Sequence, residues 1–553
     1  MVGRAATQLR WCEAVLAFDE DGELVSLVHD QWGPYLDGLD IRLAGSDTTA
    51  PLVARAEDEV EVHRDGPVHL DIRHSVLAGW DQRIVAVNTS GAPRAAGVRL
   101  RPVPARGCEA WTWSAGAEAA WIVAPRGDGP LLVVRQRQGA TEATDAFELG
   151  PSSHWDVGER RLWHWQASWL PDLRAAAVVL PGWWPDPVDL PDTVPLVIAD
   201  LDQAVDDEGE DLEVDLVGDT VEILPAAGRH RVTVRLNSAR GTTLVEARWA
   251  PALDQVAATW AGRLLDRAGV SETNPYDHAD PYDLTDPYDL TGAYDPGLGH
   301  GLTGVLGTTT AAALVLAALA GPGLVDPLRA LDVVEASVTG PLRARTDPEA
   351  VLACLGLHTA TGDTGWLDRA ADLVGELGPV PLGAVAAMNL VTTLATAGRD
   401  PSVPARALAR VAAHCAGGFD AEGQPIPRDV RAEYALVLGA GRWDAGLRDA
   451  ARWLGRRLGG GLPGQPPGGG DPRTMAREVL MLRMLDERAA YELENEWLVG
   501  PAELAERTTR RLLADLTDAA DRFPAGVIAD LLPDDPVTFG AQVVLPLVLA
   551  QSW

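Results

Sequence analysis

The stretch TTLVEARWAPALDQVAATWAGRLLDRA, residues 242–268, changes from a strand pattern to a helix pattern at Pro251. Polar and apolar side chains alternate over Thr242–Trp249, which predicts a β-strand. Pro251 suits the first position of a helix, where a backbone N–H has no intrahelical partner. The apolar residues that follow share one helical face, at Val256, Trp260 and Leu264. We therefore predict a strand that ends at residue 250 and a helix over 251–268.

Short runs of alternating polarity precede this stretch and predict many β-strands. The clearest runs are Glu13–Phe18, Glu59–Val62, Arg83–Val87, Val98–Leu100, Leu131–Val134, Val214–Leu216, Thr220–Leu224 and Arg231–Leu236. Turn-forming segments such as Asp65-Gly66-Pro67 separate them. Strands and turns at this spacing predict an antiparallel β-sandwich over 1–250, with a division into two lobes near 181–195.

Only helical patterns follow residue 300. Amphipathic segments lie near 301–320, 325–338, 347–360, 364–377, 382–397, 402–416, 428–440, 443–458, 473–490, 500–521, 524–532 and 537–551. Short connections make neighbouring helices antiparallel. A dozen such helices form either a closed toroid of six hairpins or an open solenoid, and the lack of a fixed repeat period favours the toroid. The predicted fold class is an N-terminal antiparallel β-sandwich followed by an all-α (α/α)6 toroid over 300–553.

The connector between the two halves, 251–299, ends in a short repeat. Residues 274–296 read NPYDHADPYDLTDPYDLTGAYDP, a six-residue unit. In a polyproline II conformation, with three residues per turn, its aspartates line one edge. Such an edge suits a divalent cation or a basic partner, and the alternative is a duplicated low-complexity linker.

The charge balance limits the partners of the chain. Its net charge is −34, which disfavours both nucleic acid and anionic membranes. Neither a signal peptide nor an apolar run of about 20 residues is apparent, so we expect a cytoplasmic location. The four cysteines form no C-x-x-C pair and are predicted to be reduced thiols.

Lysine is absent from the sequence. Schiff-base aldolases, pyridoxal-phosphate enzymes and P-loop phosphate binders all use a lysine amine, so these classes are excluded. No dinucleotide fingerprint is apparent either, and no cofactor is predicted.

Tryptophan is unusually frequent, with 19 residues against five phenylalanines. Indoles fill sandwich cores, and they also stack on sugar faces. Trp163 and Trp165 fall on one face of an extended strand, and Trp183 and Trp184 lie together in a proline-flanked loop. We interpret these two pairs as candidate sugar-binding or interdomain surfaces.

This order of parts, a β-sandwich, a linker helix and about twelve helices, resembles (α/α) toroid glycoside hydrolases and phosphorylases of the glucoamylase-like and glycogen-debranching-like type. The opening run Ala17–Gly38 is similar in character to their N-terminal sandwiches. The resemblance implies two carboxylates that converge at the toroid mouth, one of them a general acid.

Carboxylates on predicted helices or helix-entry loops are Asp429, Glu433, Glu478, Glu494 and Glu496. Asp429 and Glu433 are spaced i,i+4 on one face. Glu433 and Glu478 are the predicted catalytic pair, with ion-paired or solvated surface carboxylates as the alternative.

Residues Gly297–Gly304, GLGHGLTG, also look like the His-Gly segment of lanthionine-cyclase-like toroids, which hold zinc with two cysteines and a histidine. The cysteines here lack that spacing, so no metal is predicted. His300 is assigned to helix entry and to substrate binding.

The leading functional hypothesis is a carbohydrate-active protein, either a glycosidase or another glycan-processing enzyme, that uses paired carboxylates on an oligosaccharide or polysaccharide. The alternatives are a non-catalytic sugar-binding or scaffolding protein and a helical-repeat interaction module.

Overall fold

The computed structural model describes residues 6–44, 51–115, 118–143, 147–149, 154–177, 184–199, 204–206, 212–238, 241–270, 308–320, 327–339, 347–439, 444–459, 471–485, 491–493, 497–522 and 536–551. Contacts within the chain divide it into two units. The first comprises Met1–Arg248, Arg452–Gly470 and Ala490–Gly500, and the second comprises Trp249–Ala451, Asp471–Ala489 and Pro501–Trp553.

Antiparallel strands build the first unit. They are β1 (Thr7–Trp11), β2 (Ala14–Phe18), β3 (Leu24–His29), β4 (Gly33–Ala44), β5 (Leu52–Arg55), β6 (Glu59–Arg64), β7 (Val68–Ser75), β8 (Asp81–Asn88), β9 (Arg94–Ala95), β10 (Gly97–Pro104), β11 (Cys108–Ala115), β12 (Glu118–Pro125), β13 (Leu131–Gln138), β14 (Thr141–Ala143), β15 (Phe147–Leu149), β16 (His154–Trp155), β17 (Arg160–Leu170), β18 (Asp189–Pro191), β19 (Leu196–Ile198), β20 (Ala204–Asp206), β21 (Leu212–Val217), β22 (Thr220–Pro225), β23 (Arg231–Ser238) and β24 (Gly241–Ala250).

Two large sheets contain most of these strands. Their strand orders are β1-β2-β3-β4-β10-β15-β14 and β11-β12-β13-β17-β8-β7-β6-β5. Strands β9 and β16 pair with each other in a separate two-stranded sheet. From β18 onward the strands form two smaller sheets, β18-β24-β23-β20 and β19-β22-β21.

One apolar core contains side chains from both large sheets. Every second side chain of a strand points into this core. In β7, Val68, Leu70 and Ile72 are buried, whereas the residues between them are half-buried. Leu16 and Leu27 contribute from the other sheet. The alternating polarity in the sequence reflects this period of two. The prediction of antiparallel sheets followed by a helical region is confirmed.

Helices dominate the second unit. In chain order the helices are α1 (Leu173–Ala177), which lies in the first unit, α2 (Leu253–Val270), α3 (Thr308–Ala320), α4 (Pro327–Thr339), α5 (Pro348–Thr361), α6 (Gly365–Glu376), α7 (Gly383–Thr396), α8 (Ser402–Gly417), α9 (Arg428–Gly439), α10 (Ala445–Arg457), whose residues from Arg452 onward belong to the first unit, α11 (Pro472–Met484), α12 (Pro501–Arg522) and α13 (Pro536–Leu549).

The helices differ in how much of their surface is buried. Nearly every side chain of α5 from Pro348 to Leu357 is buried, which matches its small, apolar composition. By contrast, α6 buries one stripe, at Leu367, Ala370, Leu373 and Val374. A helix that is apolar all round needs neighbours on several sides, whereas an amphipathic one needs a neighbour on one side.

Contacts between helices follow a regular order. Helix α3 contacts α5, α5 contacts α7, α7 contacts α9, α9 contacts α11, α11 contacts α13, and α13 contacts α3. The contacts of these six helices thus form a closed cycle. Among the described helices, α4, α6 and α8 each contact members of this cycle as well.

The helices predicted from the sequence are matched closely wherever the structure describes the chain. The segment 524–532 and the acidic repeat at 274–296 lie outside the described residues. No helix in the described ranges is both long and apolar enough to cross a membrane.

Helices α3 and α5 pack closely at Gly356, where an added Cβ would lie 2.2 Å from Cγ1 of Val315. We expect Gly356→Ala to lower the free energy of unfolding by about 1–3 kcal/mol, because the extra methyl group overpacks this contact. Gly375→Ala is the matched control, since nothing lies within 4 Å of its added Cβ. It should raise stability by at most about 0.5–1 kcal/mol, because alanine favours the helical backbone over glycine and Gly375 is in the last turn of α6. Urea unfolding measures both, and equal effects would contradict the packing described here.

Candidate functional site

Glu433 of α9 is buried and binds the first residues of α7. Its Oε2 accepts the N–H of Leu382 at 2.8 Å, and its Oε1 accepts those of Ala384 and Val385 at 3.0 and 3.4 Å. These N–H groups have no partner within their own helix. The carboxylate therefore caps α7 from a neighbouring helix.

The cap lies at a residue whose backbone conformation is rare for residues other than glycine. Leu382 has a φ of 63° and supplies no side-chain cap of its own. The next residue is Gly383, and an added Cβ there would lie 2.7 Å from the Tyr434 hydroxyl. Tyr434 in turn donates to the Gly378 carbonyl at 3.2 Å. Two successive α9 side chains thus fix the entry to α7.

Burial raises the pKa of Glu433 to about 7, although the three backbone N–H groups and Arg477 act in the opposite direction. Desolvation disfavours the charged form of a carboxyl group. A pKa near neutrality is also what a general acid requires, so this property alone fits both a structural and a catalytic role.

Two of the other predicted carboxylates are described, Asp429 on α9 and Glu478 on α11. Asp429 pairs with Arg477, with 3.2 Å between Oδ2 and Nη1. Glu478, the next residue, is fully buried. The structure therefore brings Asp429, Glu433 and Arg477 together at the contact of α9 with α11, while Glu494 and Glu496 lie outside the described residues.

A cleft of about 490 Å³, lined mainly by small apolar residues and four charged ones, lies beside α9. We call it the α8–α10 cleft, because it is bounded by the last turns of α8, one face of α9 and the start of α10. Its charged lining residues are Arg428, Arg431, Asp444 and Asp449. The volume is typical of small-ligand sites.

The charged groups of the α8–α10 cleft differ in the ion pairs and hydrogen bonds that they make. Arg428 pairs with Asp449, with 2.9 Å between Nη2 and Oδ1. Asp444 accepts the N–H of Leu447 at 2.9 Å at the start of α10. Arg431 is exposed, and no carboxylate among the described residues lies within ion-pairing distance of it.

Cys415 also lines the cleft, and burial raises the pKa of its thiol to about 11. A thiol with this pKa is protonated near neutral pH, so it contributes an apolar wall rather than a nucleophile. All four cysteines of the chain are free.

Trp163 and Trp165 lie in the core of the first unit and are 1% and 0% exposed. The two indoles do share one face of β17, but it is the inner face. Trp163 donates its indole N–H to the Ala140 carbonyl at 3.0 Å, and its ring lies 6.3 Å from that of Trp155. This corrects the expectation of an open surface, because a sugar has no access to either ring in this conformation.

The second predicted tryptophan pair is only half described. Trp184 is buried and meets Trp113 edge to face, with ring centroids 6.1 Å apart. Trp183 and His300 lie outside the described residues. Their assignment to substrate binding stays a prediction.

Sequence reasoning missed the cleft arginines and aspartates. Arg428 and Arg431 are spaced i,i+3 on α9, a signal that one helical face carries two cations. Asp449 comes from a different helix, so only the packing of α9 against α10 unites the set.

No protein-family model matches this chain, and no curated protein matches it either. Among solved structures, one described as a polysaccharide lyase aligns with 93% of this chain and 82% of its own, at 12% identity and a TM-score of 0.46. A TPR-domain containing protein from Parabacteroides distasonis aligns with 90% of this chain and 85% of its own, at 10% identity and a TM-score of 0.19. Both TM-scores are too low for the likeness to establish a shared fold or activity.

Glu433→Gln tests the cap on α7. The folded-state pKa of Glu433, about 7, is above its ordinary value of 4.5, so folding takes up a proton between these values. The stabilisation is complete below pH 4.5 and is lost as the pH rises through about 7. Glutamine cannot ionise, so the variant should lack this part of the pH dependence.

At low pH the same variant should be less stable than the wild type by about 1–3 kcal/mol, because an amide NH₂ would oppose one of the backbone N–H groups. Urea unfolding at several pH values measures both effects. Glu422→Gln, at an exposed position of the α8–α9 connection, is the control. An unchanged pH slope in Glu433→Gln would show that the carboxyl group does not titrate as described.

Trp165→Ala tests the packing role of the indoles in the first unit. We expect it to lower the free energy of unfolding by about 3–5 kcal/mol, because it leaves a large cavity in the sandwich. Trp32→Ala, at a residue that is 38% exposed, should have a much smaller effect. Comparable losses in the two variants, measured by urea unfolding, would contradict the burial of Trp165.

Proposed function

We propose that this is a carbohydrate-binding protein whose second unit holds a short, neutral oligosaccharide in the α8–α10 cleft. The observation that carries the proposal is the balance of its charges, two arginines and two aspartates around a cavity of about 490 Å³. Guanidinium groups only donate hydrogen bonds and carboxylates only accept them. Sugar hydroxyls do both, so a polyhydroxylated ligand matches both kinds of group.

Charge supports a neutral ligand over an anionic one. A phosphorylated or sulfated ligand would approach Asp444 and Asp449 as well as the arginines. The net charge of −34 adds a general repulsion of polyanions. A neutral glycan is repelled neither by these aspartates nor by the net charge.

Arg431 is the central binding residue in this proposal. Arg428 is already paired with Asp449, and Asp444 is already bonded to the start of α10. The Arg431 guanidinium can therefore turn to a ligand without first breaking an ion pair to a described carboxylate. Its planar set of donors suits two adjacent hydroxyl oxygens.

We also propose that the helices of the second unit form a six-hairpin toroid. The closed cycle of contacts from α3 through α13 and back to α3 supports this arrangement. An open solenoid would leave its first and last repeats apart, because each repeat contacts only its neighbours.

The surroundings of Glu433, one of the two predicted catalytic carboxylates, support sugar binding without hydrolysis. A general acid must come within hydrogen-bond reach of the glycosidic oxygen. Both oxygens of Glu433 are instead bonded to the start of α7, and Glu433 is not among the residues that line the cleft. Catalysis by Glu433 and Glu478 stays a prediction.

A glycan-array screen followed by calorimetry on the full chain tests the proposal. We expect a neutral oligosaccharide to bind, and Arg431→Ala to weaken it about 10- to 100-fold, as for a lost hydrogen bond to a charged group. Arg448→Ala is the matched control, an exposed arginine of α10 that does not line the cleft, and it should bind as the wild type does. Equal affinity in both variants would locate any binding elsewhere.

A hydrolysis assay with the same glycans separates binding from catalysis. We expect no turnover by the wild type. Turnover that is abolished by Glu433→Gln or Glu478→Gln, in variants shown to be folded, would overturn the non-catalytic proposal and support the carboxylate pair.

A further inference from the structure

Two histidines and an aspartate converge on the outer face of the first unit. Oδ1 of Asp71 lies 2.6 Å from Nδ1 of His63 and 2.8 Å from Nε2 of His69. The three ligand atoms lie within 4.8 Å of one another. All three side chains are partly exposed, so an ion from solvent can reach them.

The register of β6 with β7 builds this cluster. His63 is directly opposite Asp71 in the antiparallel pair, and His69 is two residues from Asp71 on the same strand. Side chains two apart on a strand point to the same face. Val62, which precedes His63, and Leu70, which lies between His69 and Asp71, point into the core and hold both strands in place.

His69 contacts a carboxylate oxygen at each of its two ring nitrogens. Its Nδ1 lies 2.8 Å from Oδ1 of Asp65, and its Nε2 lies 2.8 Å from Oδ1 of Asp71. Asp71 also contacts Nδ1 of His63, so one carboxylate oxygen lies between a nitrogen of each ring. A neutral imidazole can donate through one nitrogen and offer the lone pair of the other to a metal ion. With Asp65 at Nδ1 of His69, Nε2 is the nitrogen placed to bind an ion beside Asp71.

We propose that His63, His69 and Asp71 bind a zinc ion. Two imidazoles and one carboxylate are ligands that zinc accepts, and three protein ligands leave the fourth tetrahedral position to water. Ligand atoms about 2.0–2.2 Å from a tetrahedral ion are about 3.4 Å apart. The present separations of 2.6 and 2.8 Å need to open by less than about 1 Å, which small rotations of these partly exposed side chains provide.

The neighbouring carboxylates fit the same assignment. Asp65, in the β6–β7 turn, accepts from Nδ1 of His69 and so directs Nε2 towards the ion. Histidine ligands usually donate their second ring N–H to a carboxylate in this way, which orients the ring. Glu61 lies 3.9 Å from Nε2 of His63, the nitrogen that faces away from Asp71, so it adds negative charge near the ion without a hydrogen bond to the ring. The site lies in the first unit and does not depend on the carbohydrate proposal.

Zinc titration of the full chain, by calorimetry and by metal analysis after dialysis, tests this site. We expect one zinc per chain in the wild type and its loss in the double variant His63→Ala/His69→Ala. Asp65→Asn keeps all three ligands but loses the orienting carboxylate, so it should weaken binding about 10- to 100-fold. His164→Ala is the matched control, because His164 is also paired with an aspartate on this sheet, Asp81, at 2.8 Å, and it should bind zinc as the wild type does.

A second measurement guards against variants that misfold. Copper(II) bound to the wild type should show two nitrogen ligands in its electron paramagnetic resonance spectrum, and one in His63→Gln. Circular dichroism confirms that each variant is folded. Zinc binding that is unchanged in the folded double variant, or no binding by the wild type, would overturn the proposal and leave a hydrogen-bonded surface cluster.

Discussion

Buried backbone N–H and C=O groups need hydrogen-bond partners, and this requirement shapes both units where regular structure stops. In the second unit, Glu433 accepts three N–H groups at the start of α7. In the first unit, buried Arg456 donates to the carbonyls of Gly127 and Gly129, which lie in the β12–β13 turn. In each case an ionisable side chain from a distant part of the sequence makes the hydrogen bonds that the backbone lacks where a helix begins or a strand ends. Removal of either would leave buried polar groups unpaired, which costs more than the bond itself contributes.

The sequence predicted the elements of this protein well, because their signals are local. The alternation over Arg83–Val87 and the proline at residue 251 each depend only on a few neighbouring residues. Helix and strand boundaries consequently agree to within a few residues in the described ranges. The arrangement of helices was harder to predict, since a closed cycle and an open stack have the same local pattern. The contact of α13 with α3 is one that an open stack would lack.

The site residues were less predictable, because side-chain direction depends on which face of an element is buried. Strand periodicity correctly set Trp163 and Trp165 on one face of β17 but could not tell the inner face from the outer one. For Glu433, the sequence indicated a helical carboxylate and gave no sign that α7 begins against it. The proposed zinc ligands were missed for a related reason. His69 and Asp71 are close in sequence, but His63 joins them only through the β6–β7 register.

The contact between α13 and α3 has a consequence for how the chain is made. Helix α3 is apolar on every side from Ala311 to Val315, whereas α13 begins only at Pro536. A ribosome releases α3 long before it has synthesised the residues of α13. The apolar surface of α3 therefore stays incompletely covered until α13 has been synthesised, and a nascent chain of this kind needs protection from aggregation during that interval.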